Sequence, residues 1–140
     1  MLSKKVEYGL MALLHMDTTN VVDVVSSKEI AETYGLPVDL LGKVMQAMAK
    51  AGLIDAVHGA HGGYRLTSGL DTLSLGQVIQ AIEGPVKLVR CQHDSEECSH
   101  SAACSMRDPL LQIHAQLQEF IHGVSLGQLR KEKLPVAIHG

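Results

Sequence analysis

The stretch LIDAVHGAHGGYRL, Leu53 to Leu66, decides how this chain folds. It reads as a strand, a tip rich in glycine at Gly59, Gly62 and Gly63, and a strand returning through Tyr64 and Leu66, which together make a β-hairpin. Its meaning depends on what precedes it. Residues 37–52, PVDLLGKVMQAMAKAG, read as a helix with Pro37 in the first turn, where its missing N–H is harmless. Leu40, Leu41, Val44, Met48 and Ala51 form the inward stripe of that helix, and Gly52 ends it. Just upstream, SSKE places Ser26 at an N-cap with Glu29 three residues on, a capping box opening a short helix to Tyr34, and Gly35 stands where a left-handed C-cap is wanted. Two helices joined by a tight glycine-containing turn make a helix-turn-helix, and a hairpin directly behind the second helix is a wing. Helix pairs alone are common in all-helical domains, so it is the hairpin that turns the reading toward DNA.

Working outward, Val6, Leu10, Leu13 and Leu14 share one stripe of an N-terminal helix ending near Asp17. Beyond the wing, SLGQVIQAIEG starts with a second capping box, Ser74 to Gln77, and carries Leu75, Val78, Ile79 and Ile82 on one face. After a polar loop, Leu110, Ile113, Leu117, Phe120 and Val124 alternate steps of three and four, an a/d seam that either packs on its own domain or, as so narrow a stripe favours, pairs with a second copy. The expected class is mainly α: a winged helix-turn-helix domain over 1–84, a cysteine-containing loop over 85–105, and a dimerisation helix with its tail over 106–140. A homodimer suits DNA, because two recognition helices then meet successive major grooves of a palindromic operator.

Composition narrows the possibilities. The 140 residues include one Phe, three Tyr and no Trp, and their apolar content rests on aliphatic residues and Met, a balance that favours helices. The formal net charge of -3 gives no general attraction to nucleic acid or to an acidic membrane, so DNA contact must come from a local surface. No apolar run reaches the roughly 18 residues of a membrane span, and the N-terminus lacks a cleavage site, so the expected location is the cytoplasm. No nucleophile–base arrangement and no phosphate loop stands out, so the chain does not read as an enzyme.

All three cysteines fall in CQHDSEECSHSAAC, with six residues between Cys91 and Cys98 and five between Cys98 and Cys104. Cytoplasmic thiols stay reduced and the number is odd, which argues against a structural disulfide framework. Metal binding, redox sensing and chance remain. Structural zinc usually takes four ligands, often from paired C-x2-C units that are absent here. Wider spacing suits an iron-sulfur cluster, whose irons spread over several ångströms. His93 and His100 lie in the same loop as nitrogen donors or as plain solvated residues, and Asp94, Glu96 and Glu97 read as a solvent-facing turn.

The order of parts resembles the bacterial winged helix-turn-helix regulators of the IscR/NsrR type. EYGLMALL in the first helix, GLIDAVHGAHGGYRL through the wing, SLGQVIQAIEGP after it, and the three cysteines followed by a long helix and SLGQL carry the likeness over nearly the whole chain. By that resemblance Cys91, Cys98 and Cys104 hold a 2Fe-2S or 4Fe-4S cluster. The chain departs from the pattern in having six residues between the first two cysteines, where five or fewer are common. It also has Arg107 where regulators of the IscR type have a histidine ligand, and a guanidinium stays protonated and cannot serve. Regulators of the NsrR type instead use a carboxylate from the partner's first helix, and the matching position here is Glu7, whose plain reading is an exposed carboxylate beside Lys4 and Lys5.

For DNA, the recognition helix offers Asp39, Gly42 and Lys43 opposite its apolar stripe, and Ser27 and Lys28 stand at a helix start suited to phosphate. The wing offers His58, His61 and Arg65. The resemblance implies glutamate at the position of Gly42 and arginine at that of His58, so operator preference should differ. Residues 1–66 hold six Lys or Arg against seven Asp or Glu, so nonspecific attraction should be modest. The function expected is a cluster-binding transcriptional repressor of iron-sulfur assembly or iron homeostasis genes. The alternatives are a nitric oxide-responsive repressor and a zinc- or thiol-regulated protein without a cluster.

Overall fold

The computed structural model describes residues 3–18, 23–85 and 101–129, with side chains from Asp108 onward in the last segment. Five α-helices and one two-stranded sheet follow in chain order: α1 (Lys4–Thr18), α2 (Ser27–Tyr34), α3 (Val38–Lys50), β1 (Ile54–Val57), β2 (Gly63–Leu66), α4 (Leu75–Glu83) and α5 (Ser101–Gly123). The class is mainly α, a winged helix-turn-helix with a small β wing. No helix among the described residues is long and apolar enough to cross a membrane.

The helix-turn-helix forms for local reasons. Ser26 is extended and its hydroxyl accepts the Glu29 N–H at 3.0 Å, satisfying one of the orphan donors of α2. The Glu29 carboxylate lies 3.6 Å from His15 Nε2 on α1, while the full reciprocal box forms at α4, where Ser74 and Gln77 exchange bonds of 3.1 and 2.8 Å. Gly35 takes φ 67°, the left-handed value that ends α2 without steric penalty. Pro37 is the N-cap of α3 and not a first-turn residue, its φ of -63° and ψ of 122° leading the chain into the helix.

The inward stripe of α3 is Leu41, Val44, Met45 and Met48, all nearly without solvent exposure. Leu40 is half-buried, and Ala51, expected inward, is exposed. It is the C-cap, its N–H still bonded to the Ala47 carbonyl at 3.1 Å, and it stands where the helix and the buried stripe both end. These residues pack with Leu13, Ile30, Ile54 and Val78 into one core joining α1, α2, α3, the wing and α4. Gly9 lets the helices close in: a Cβ there would stand 2.6 Å from Ile82 of α4 and 3.3 Å from Val44 of α3.

The hairpin pairs Ile54 with Leu66 and Val57 with Gly63, antiparallel. A further short bridge ties it to the helix-turn-helix, since Val25 and Tyr64 exchange two backbone hydrogen bonds of 2.8 Å just before α2. Gly63 makes that approach possible, because a Cβ there would lie 2.6 Å from the Val25 carbonyl oxygen.

The last helix differs from expectation in two ways. It begins at Ser101, so residue 104 lies in a helix and not in the loop, in keeping with the helix-forming Ala102, Ala103 and Met106 around it. Its apolar residues also divide. Ile121 is 4 % exposed and packs with Val6 and Ile79 on its own domain, whereas Ile113 and Phe120 of the expected seam are 53 % and 68 % exposed. Val124, the last seam residue, falls beyond the helix, where its carbonyl accepts the Leu75 N–H at 2.9 Å. From there Ser125 bridges Ser74, and Leu126 is buried beside the start of α4.

Candidate functional site

The exposed edge of the helix-turn-helix is built from the two helix starts and the wing. Ser27 and Lys28 follow the N-cap of α2, Ser27 half-buried and Lys28 exposed, so the lysine is available at the positive end of the helix dipole. On α3, Asp39 and Lys43 are exposed and Gly42 lies between them with nothing within 4 Å of where its Cβ would stand. That glycine is therefore not required by packing. It leaves a gap in the face that α3 presents.

His15 braces α2 from behind. Its Nδ1 is 3.0 Å from the Tyr34 hydroxyl at one end of the helix, its Nε2 faces Glu29 at the other, and its ring meets the Tyr34 ring edge-on at 5.4 Å. Nothing local in the sequence marks His15 as a brace, since it is a lone histidine in an apolar helix. Gln46 and Val38 are equally unmarked by spacing. Gln46 is exposed one turn beyond Lys43, and a glutamine among small and apolar residues was the available clue. Val38, at the first position of α3, is 47 % exposed.

In the wing, His58 and His61 are exposed at the tip, which is shaped by Gly59 at φ 122° and by Gly62, where a Cβ would stand 2.5 Å from the Val57 carbonyl oxygen. Arg65 sits opposite Asp55 in the strand register, its Nε 3.9 Å from the carboxylate, with both side chains about half exposed. A pair so open to water contributes at most about 1 kcal/mol, so the guanidinium can exchange its partner for a phosphate.

The four residues expected to hold metal are not assembled within one subunit's described part. Cys91 and Cys98 lie outside the described residues. Cys104 is in the first turn of α5, and Glu7 is exposed in the first turn of α1. Among the described residues no three His, Cys, Asp or Glu side chains stand together as a metal site.

Residues 2–132 match the Rrf2 family, described as an iron-dependent transcriptional regulator. The chain belongs to the Rrf2 family. Among Rrf2 relatives, the HTH-type transcriptional regulator IscR of Vibrio campbellii is 27% identical over 131 residues, 94% of this chain and 77% of that protein. The structure of CymR, the global cysteine regulator of B. subtilis, is similar with TM-score 0.70 and 27% identity, covering 94% of this chain and 97% of that one. IscR of T. potens is similar with TM-score 0.66 and 26% identity, over 96% and 88% of the two chains. An Rrf2 winged helix with a transcriptional role is thus established by family and fold together.

Proposed function

We propose that this Rrf2 regulator is a homodimeric, cytoplasmic, non-enzymatic repressor whose operator affinity is set by an iron-sulfur cluster, and that it controls genes of cluster assembly or iron homeostasis. The supporting observation is a winged helix-turn-helix head followed by a stretch, residues 91–104, that holds all three cysteines, in a chain of the iron-dependent Rrf2 family. The donor set fits such a group. Three thiols are ligands of the kind iron-sulfur centres take, and residue 104 falls within α5. Cys91, Cys98 and Cys104 would hold the cluster, with Glu7 of the partner as the remaining ligand. When bound, the cluster supplies a charged centre that iron shortage, oxygen or nitric oxide removes.

The chain's own residues carry the consequence. The loop joins α4 to α5, and α4 packs against both α1 and the recognition helix α3. These three helices meet tightly at Gly9, where Ile82 and Val44 close on the α1 backbone, two residues from Glu7. A pull on the loop or on Glu7 therefore acts on elements in direct contact with α3. Ser27, Lys28 and Arg65 bind phosphate, while Asp39, Lys43 and the wing histidines His58 and His61 approach the bases, with Gly42 leaving room between. The bound and cluster-free forms must differ in operator affinity, because only a differential interaction shifts the equilibrium.

The test is anaerobic purification with absorbance, iron and acid-labile sulfide counting, followed by DNA binding before and after cluster removal. Brown, iron-loaded protein whose affinity changes on cluster loss supports the proposal, and Glu7→Ala should alter cluster stability or spectrum. Colourless, iron-poor protein after reconstitution, with unaltered operator binding, overturns it. Likeness to a global cysteine regulator favours a second reading, in which the cysteines act as redox thiols. It gains if reversible thiol oxidation alone moves the affinity.

A further inference from the structure

Four large apolar side chains are substantially exposed among the described residues: Ile113 and Phe120 on α5, and Tyr34 and Val38 at the helix-turn-helix. The α5 pair belongs to the seam already described. Tyr34 has its hydroxyl beside His15 Nδ1 and its ring against the imidazole, which accounts for its position. Val38 is different. It is the first residue of α3, on the border between the buried stripe and the exposed face, and it is 47 % exposed. One turn further, on the same border, Gly42 has no neighbour within 4 Å of its Cβ position and carries no side chain of its own to stand between the valine and a base edge.

A recognition helix meets base edges with its N-terminal residues. The apolar feature of the major groove is the C5-methyl group of thymine. Phosphate is a poor match for this spot, since the next residue is the exposed Asp39 carboxylate. We propose that Val38 is a specificity-determining residue that packs on a thymine methyl in each operator half-site, with Gly42 providing the clearance. This rests on α3 entering the major groove and goes beyond it by naming the base and the group read.

The experiment selects operator duplexes from a random library with the full-length protein, in whichever cluster state binds. Each thymine is then replaced by deoxyuridine, which removes only the methyl. At one thymine per half-site the replacement should weaken wild-type binding about fourfold, the value of one buried methyl-sized group, and about sixteenfold when both half-sites are changed. Val38→Ala should bind the thymine and uracil operators equally, while Val38→Thr, which keeps one methyl, retains part of the discrimination. Thermal melting of both variants should match wild type, because the side chain is not part of the core. Indifference of the wild type to every replacement, or undiminished sensitivity in Val38→Ala, overturns the assignment while leaving DNA binding intact. Failure to enrich any sequence overturns the DNA-reading edge itself.

Discussion

Two glycines with opposite roles show how a single residue is decided here. Gly42 lies inside α3 with free space around its Cβ position, so its only energetic effect is the entropy lost in ordering a residue without a side chain. Gly42→Ala should stabilise the protein by roughly 0.5–1 kcal/mol, seen as a rise in the midpoint of thermal unfolding. A fall would show that the site is more crowded than the geometry implies. Gly63 lies under the Val25 carbonyl, which is backbone and cannot rotate away. Gly63→Ala should cost about 1–3 kcal/mol as the Val25–Tyr64 bridge opens, and hydrogen exchange at the Val25 and Tyr64 amides should speed up. Unchanged protection at those amides would contradict the bridge.

At the level of elements, α5 has two apolar sides serving different ends, and its adjacent residues Phe120 and Ile121 separate them. Ile121 is 4 % exposed against Val6 and Ile79, so Ile121→Ala should cost about 2–5 kcal/mol of folding stability. Phe120 is 68 % exposed and has little to lose within the subunit. Phe120→Lys should leave the helical circular dichroism of the isolated subunit intact and shift sedimentation toward monomer, because a charge would then be buried in a pairing seam. Dimer that persists undiminished in Phe120→Lys would mean that another surface holds the copies together. The C-terminal end of α5 is anchored by His122, whose ring would stand 2.7 Å from a Cβ at residue 76. The 3-10 turn Leu126–Leu129 then covers the start of α4.

For the whole molecule, the relevant quantity is how few cations the proposed DNA-binding edge carries. Acidic residues slightly outnumber basic ones over residues 1–66, and the exposed edge carries Lys28, Lys43 and Arg65. A dimer doubles each of them. Lys28→Ala should therefore remove two phosphate contacts per operator and reduce the slope of log affinity against log salt by about two, with sequence preference unchanged. Titrations at several salt concentrations measure it directly. An unchanged slope would take Lys28 off the phosphate backbone and leave the start of α2 without that role.

Much of this was legible in the chain alone. Hydrophobic spacing, the Ser26 and Ser74 caps, Gly35 and the glycine-rich hairpin each depend on residues close in sequence, and together they determined the winged helix-turn-helix and its order of elements, while the gathering of the cysteines within residues 91–104 is read directly. What depended on residues far apart was settled only by the tertiary structure. Periodicity describes a helix without saying where the core ends, so it could not show that Val38 and Ala51 are exposed, or that Ile121 packs inward while Ile113 and Phe120 face solvent. Nor could local signals join His15 to Glu29 and Tyr34, or Val25 to Tyr64. Those pairings exist because α1, α2 and the wing converge on one buried cluster, and packing is a property of the assembled elements.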